Sequence, residues 1–144
     1  MNDDPLTLEN QLCFAVYSAS HAFTKVYRPL LADLGLTYPQ YLVMLVLWEK
    51  RVASVTEIGT ALGLDTGTLS PLLKRLEKTG YIRRERSKAD ERQVAIHLTT
   101  SGDTLKDQAS NVLKKIGQST GCSLDQAQAL LATLHTLRKN LEEA

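Results

Sequence analysis

At 144 residues the chain has room for one domain with a sizeable core, and 43% hydrophobic residues with eight glycines and four prolines exclude a low-complexity chain. Net charge is only +1, which alone argues against nucleic acid. The longest apolar run, Leu42 to Trp48, falls far short of the ~18 residues a membrane span needs, and Asp3 and Asp4 stand where a signal peptide would be basic, so a cytoplasmic location off the membrane is expected.

The first helix is predicted from Leu6 to about Tyr27, where Leu8, Leu12, Val16, Ala19 and Phe23 recur at intervals of three and four and mark a helix with one buried stripe. Pro29 suits the first turn of a short second helix ending at Gly35. Thr37 caps a third helix to about Lys50, which tolerates Pro39 in its first turn and is apolar nearly all round, hence central. Ser54 and Glu57 form a capping box for a fourth helix, Val55 to Leu62. Gly63-Leu64 turns the chain, and Asp65 or Thr66 caps a fifth helix that stops at Gly80. Its apolar face is Leu69, Leu72, Leu73 and Leu76.

Two short strands follow, residues 81–85 and 93–98, flanking a charged loop from Arg86 to Arg92 as a hairpin would. Thr99 to Ser101 cap a long helix to about Ser119, and Ser123 caps a last one to Glu142. Its leucines, from Leu124 to Leu141, make a stripe wider than packing on one neighbour explains. The fold class is therefore mainly α with a small β-hairpin: a winged helix–turn–helix over about 37–100, flanked by helical segments at about 6–35 and 101–142, as a single domain over 1–144.

Charge distribution gives this module a task. Residues 66–92 carry a local +4, residues 1–65 a local −3, and residues 93–144 balance. Basic charge gathered on a helix and a wing is the footprint of a phosphate-contacting surface. Thr66, Thr68 and Ser70 near the start of the fifth helix suit base or phosphate contacts in a major groove, with Lys74 and Arg75 reaching the backbone. Arg86 belongs to the same basic wing, and Asp90 two residues before Arg92 would aim that guanidinium into a minor groove. The competing reading is a protein-binding winged helix with solvated charges.

Cys13 and Cys122 cannot make the disulfide framework of a small secreted protein, and in a reducing compartment they rest as thiols. His21, His97 and His135 share no metal-ligand spacing with them, so neither a metal nor a cofactor is expected. By composition alone, Cys13 reads as a small buried hydrophobe and the tyrosines as packing groups.

Residues 62–82, Leu-Gly-Leu-Asp-Thr-Gly-Thr-Leu-Ser-Pro-Leu-Leu-Lys-Arg-Leu-Glu-Lys-Thr-Gly-Tyr-Ile, followed by Asp90-Glu91-Arg92, resemble the multiple antibiotic resistance (MarR) regulators. Glu9-Asn10-Gln11-Leu12-Cys13-Phe14, Tyr27-Arg28-Pro29-Leu30-Leu31 and Thr37-Tyr38-Pro39-Gln40-Tyr41 resemble the organic hydroperoxide resistance regulators (OhrR) within them. The resemblance implies a homodimer joined by its terminal helices, repressing a peroxide-detoxification gene from pseudo-palindromic double-stranded operator DNA. It also implies that Cys13 is the peroxide-sensing thiol and that Tyr27 and Tyr38 reach it from the other subunit. Cys122 falls where two-cysteine members carry the partner of an intersubunit disulfide.

The chemistry at Cys13 follows from its neighbours. A thiol meets peroxide as thiolate, and a helix N-terminus with phenol hydrogen bonds suits an anion. Leu12, Phe14 and Val16 suit an organic hydroperoxide better than hydrogen peroxide. Two rivals remain at this point. One is a MarR-type repressor released by a small aromatic ligand, with Cys13 incidental. The other is a thiol peroxidase, for which no Cys-x-x-Cys pair exists and a basic DNA-reading module would be wasted, so no enzyme activity is expected.

Overall fold

The computed structural model describes residues 3–90 and 93–144. Its contacts gather into two compact units, one ending at Val112 and the other Leu113–Ala144. In the first, a single 3-10 turn (Leu8–Asn10) precedes α1 (Leu12–Ala32), α2 (Tyr38–Lys50), β1 (Val52–Ser54), α3 (Val55–Leu62), α4 (Thr66–Thr79), β2 (Ile82–Arg86), β3 (Val94–Leu98) and the start of α5 (Thr100–Thr120).

α2 is the hub. Val43, Met44 and Leu47 are fully buried, joined by Leu31 of α1, Ile58 of α3, Leu69, Leu73 and Leu76 of α4, and Ile82 and Ile96 of the sheet. Thr37 opens α2 with a reciprocal capping box: its hydroxyl accepts the Gln40 N–H, and Gln40 Oε1 accepts the Thr37 N–H at 2.9 Å. The indole of Trp48 donates to the Gly102 carbonyl at 2.9 Å, tying α2 to the first turn of α5.

Two elements depart from the sequence expectation. The first two predicted helices are one, beginning at Leu12 rather than Leu6 and carrying Pro29 inside, and the stripe of Leu8, Leu12, Val16, Ala19 and Phe23 expected to be buried is exposed in the single chain. Pro29 deprives the Lys25 carbonyl of its usual helical donor. Tyr27 and Leu31, one turn apart on either side of it, are both buried, and their packing holds the helix through the defect. Second, the hairpin is part of a three-stranded antiparallel sheet of order β1-β3-β2. β1, three residues long, pairs Val52 with His97, Ala53 with Ile96 and Ser54 with Ala95. Arg51 at the end of α2 adopts φ 67° with ψ −43°, a turn that aims the chain from helix into β1, and its guanidinium donates to Asp103 of α5.

The second unit holds the end of α5, a turn with Gly121 at φ 69°, and α6 (Leu124–Glu142). Ser123 caps α6 by accepting the Gln126 N–H at 3.2 Å, while Gln126 Oε1 accepts the Ser123 N–H at 2.9 Å. No residue of α6 is buried. No helix among the described residues is long and apolar enough to cross a membrane.

Candidate functional site

Helices α3 and α4 form the helix–turn–helix. Gly63 ends α3 at φ 67°, and Gly59 lies so close to the turn that an added methyl would sit 2.8 Å from the Leu64 carbonyl oxygen. Asp65 caps α4 by accepting the Thr68 N–H at 2.7 Å, and that bond holds its carboxyl below the usual range. Leu69, Leu73 and Leu76 bury one face of α4. Around the rest of the helix Thr66, Thr68, Lys74 and Arg75 are exposed and Ser70 is half-buried. The five α4 residues proposed from sequence thus all reach solvent, spread over more than one face of the helix.

In the wing, β2 and β3 pair from Ile82↔Leu98 to Arg86↔Val94. Arg86 and Asp90 are exposed; Arg92 lies outside the described residues. The loop is pinned where the Ser87 N–H donates to the Gln93 carbonyl at 2.9 Å and the Gln93 N–H to the Asp90 carbonyl at 3.0 Å. On one sheet face Glu85 Oε2 receives Arg83 at 3.1 Å and approaches His97 Nε2 at 3.2 Å. On the other, the Arg84 guanidinium turns toward α4. Its bonds to Ser70 and Glu77 were missed from sequence, because residues counted only as charge carry no sign of which helix they meet.

Cys13 is the second residue of α1, a free thiol exposed at the helix N-terminus. Cys122 is a second free thiol, half-buried in the turn before α6, with its N–H donating to Thr120 Oγ1 at 3.2 Å. Among the described residues no group of three or more potential metal ligands is gathered.

Between α1 and α2 the structure brings three tyrosines together. The ring of Tyr27 lies 5.0 Å from that of Tyr38 and 5.5 Å from that of Tyr41, and Tyr41 meets Trp48 edge-on at 6.3 Å. Burial, then the neighbouring Tyr41 and Tyr38, pushes Tyr27 up to about 12, so it is held as a hydrogen-bond donor. Tyr41 is raised by the same kind of burial and by Tyr38. Tyr17 stands apart from them, exposed on α1, with the His21 ring tilted 50° to it at 4.4 Å.

Fourteen positions separate Cys13 from Tyr27 on the same continuous helix. At 1.5 Å per residue that is ~21 Å and nearly four turns, so the two lie on the same side of α1 but far out of reach. A phenol that touches the Cys13 sulfur must therefore belong to a different chain or to a different tyrosine than Tyr27 of its own.

The family model describing the transcriptional regulators SarA and Rot matches residues 25–109. The chain is 55% identical to the HTH-type transcriptional regulator TtmR of Methylorubrum extorquens, over 96% of this chain and 71% of that one. It is 45% identical to the organic hydroperoxide resistance transcriptional regulator of Bacillus subtilis, over 97% and 95% of the two chains. AbfR, 39% identical in its reduced form bound to DNA, superposes with a TM-score of 0.76 over 93% of this chain and 94% of that one. Its disulfide-formed state matches with a TM-score of 0.67 over 90% and 91%, at 38% identity. The chain belongs to the MarR/SarA-type transcriptional regulators, a DNA-binding and non-enzymatic family of winged helix–turn–helix proteins.

Proposed function

We propose that this protein is a cytoplasmic, homodimeric repressor that senses organic hydroperoxides through Cys13 and lets go of operator DNA when oxidised. The observation that carries the reading is the helix geometry of α1. An exposed thiol and a buried phenol donor share one side of a single helix ~21 Å apart, an arrangement that a second copy crossing this helix would complete. The same face is otherwise unexplained: from Leu12 to Phe23 every residue of α1 is exposed, Val16 and Phe23 among them. On α6 Leu130, Leu131 and Leu141 are more than half exposed. Apolar surface on this scale marks an association face, and the segments at about 6–35 and 101–142 are the dimerisation helices.

The chemistry balances without a cofactor. The Cys13 thiolate attacks the peroxide, forming an S–O bond as the O–O bond breaks, and the departing alkoxide takes a proton to leave as an alcohol. The resulting sulfenic acid condenses with the Cys122 thiol of the other subunit, forming the S–S bond and releasing water. Tyr27 and Tyr38 hold the thiolate beforehand and lose their anion afterwards. DNA is read by Thr66, Thr68, Ser70, Lys74 and Arg75 in the major groove, and by Arg86, Asp90 and Arg92 on the wing. Two-fold symmetry calls for a pseudo-palindromic operator with half-sites about one helical turn apart. The organic hydroperoxide resistance regulator of B. subtilis, and AbfR in its reduced and disulfide-formed states, support this assignment.

The test is binding to the duplex upstream of the protein's own gene, with and without an organic hydroperoxide, for wild type, Cys13→Ser and Cys122→Ser, beside non-reducing gels. Release in wild type, none in Cys13→Ser, and a dimer-sized band absent from either mutant is the expected result. If Cys13→Ser lets go as readily as wild type, the thiol is not the sensor and a repressor released by an aromatic ligand takes its place.

A further inference from the structure

β2 lies at the edge of the three-stranded sheet, so one side of it offers backbone groups to no strand. At Arg84 that edge is closed by the recognition helix. The Arg84 N–H donates to Glu77 Oε2 at 3.2 Å, and its Nε lies 3.9 Å from Glu77 Oε1. The Nη2 of the same guanidinium donates to the Ser70 carbonyl at 3.4 Å. Ser70 and Glu77 stand seven positions apart on α4, one face and two turns, so Arg84 spans the wing-facing side of the helix. Its side chain is 28% exposed, and its Nε is buried with no hydrogen-bond partner. That is an unusual position for a basic residue whose only task is to meet phosphate.

We propose that Arg84 and Glu77 are positioning residues for DNA reading: together they fix the wing against the recognition helix so that both grooves are met in register. Arg84, partly buried beneath α4, acts through the elements it joins. Arg86, two residues along on the same strand face, is delivered to the wing tip in a phase set by that joint. Glu77 is the informative partner, because it is an acid on the DNA-reading helix. Coulomb's law alone says that removing a negative charge from such a helix tightens binding to phosphate. The clamp says the opposite for a specific site. The inference rests on the DNA reading of α4 and the wing given above.

The experiment compares Glu77→Gln, Arg84→Lys and the double variant on two probes, the duplex upstream of the protein's own gene and an unrelated duplex of equal length. Thermal melting serves as the check on folding. Glu77→Gln is expected to weaken binding to the upstream duplex about tenfold while binding the unrelated duplex as tightly as wild type or more tightly. Arg84→Lys keeps the charge but loses the planar fork, and is expected to lose the same specificity ratio. The double variant is expected to be no weaker than either single one, since both break one joint. Equal or tighter binding of Glu77→Gln to the upstream duplex overturns the clamp, as does a parallel loss on both duplexes. If wild type does not discriminate the two duplexes at all, the DNA reading and the clamp fall together.

Discussion

Gly102 sits in the first turn of α5, and its lack of a side chain is what lets that helix lie against the sheet. A methyl there would stand 2.1 Å from the Tyr81 carbonyl oxygen, 3.1 Å from its carbon and 3.2 Å from Leu98 Cδ2. The first two are backbone atoms, so no rotamer change relieves them. Tyr81 is itself fixed: its carbonyl accepts the Thr99 N–H at 3.1 Å, and its hydroxyl donates to the Leu34 carbonyl at 2.7 Å. Helix α5 must therefore back away, loosening the 2.9 Å bond from Trp48 to the Gly102 carbonyl. Overpacking of this sort costs ~1–3 kcal/mol, and each weakened hydrogen bond adds ~1 kcal/mol. Gly102→Ala is expected to lose about 2–4 kcal/mol, a large share of the ~5–15 kcal/mol that holds a domain folded. Gly117, on the same helix, has nothing within 4 Å of the same methyl. Gly117→Ala is expected to gain ~0.4–1 kcal/mol by restricting the unfolded chain. Urea unfolding of both variants measures the pair. A Gly102→Ala protein within 1 kcal/mol of wild type would refute the reasoning, because it would mean that the Tyr81 backbone yields.

Two pH dependences follow from the ionisable groups. The Arg51 guanidinium bonded to Asp103 holds that carboxyl below its ordinary value, so its contribution is complete above the unfolded-state pKa and disappears as pH falls through the folded one. Acid unfolding of Asp103→Asn is expected to be flatter with pH than that of wild type below about pH 4, read by circular dichroism. Tyr27 is displaced the other way, to about 12, so its share of stability is intact below the ordinary tyrosine value of ~10 and disappears as pH rises toward the folded value. Alkaline difference spectroscopy is expected to show a late-ionising phenol that Tyr27→Phe removes; an unchanged late phase would assign it elsewhere.

Much of the fold was legible because the signals were local. Ser54 with Glu57, Asp65 and Ser123 each cap the helix that follows, and glycines 63 and 80 stop α3 and α4 in left-handed conformations. The spacing of Leu69, Leu72, Leu73 and Leu76 named the apolar face of α4, of which Leu72 is only half-buried and the other three are buried. What escaped was non-local. β1 exists because Ala53 meets Ile96, a pairing no three-residue run announces. Pro29 argued for a break that the burial of Tyr27 and Leu31 overrode. The split between thiol and phenol was only partly legible. Residue identity put Cys13 near a helix start and resemblance singled out Tyr27 and Tyr38. The predicted helix from Leu6 to about Tyr27 already carried the first two together; the structure adds that this rod begins at Leu12, just before the thiol, and runs on past Pro29.

That rod makes the subunit arrangement testable by complementation. If each Cys13 is served by Tyr27 of the other chain, a heterodimer of a Cys13→Ser chain and a Tyr27→Phe chain contains one complete site and one empty one. The surviving thiol belongs to the Tyr27→Phe chain, and the phenol facing it comes from the Cys13→Ser chain. A hydrogen bond to a charged group contributes ~1.5–3 kcal/mol, so the Tyr27→Phe homodimer should oxidise roughly 10–100-fold more slowly than wild type. The heterodimer, isolated with two different affinity tags, should oxidise its one Cys13 at the wild-type rate, followed by loss of free thiol under an organic hydroperoxide. If the phenol instead served the thiol of its own chain, the heterodimer would be as slow as the Tyr27→Phe homodimer. A slow heterodimer would sink the intersubunit site even if Cys13 proved to be the sensor, because it would require Tyr27 to act across ~21 Å of its own helix.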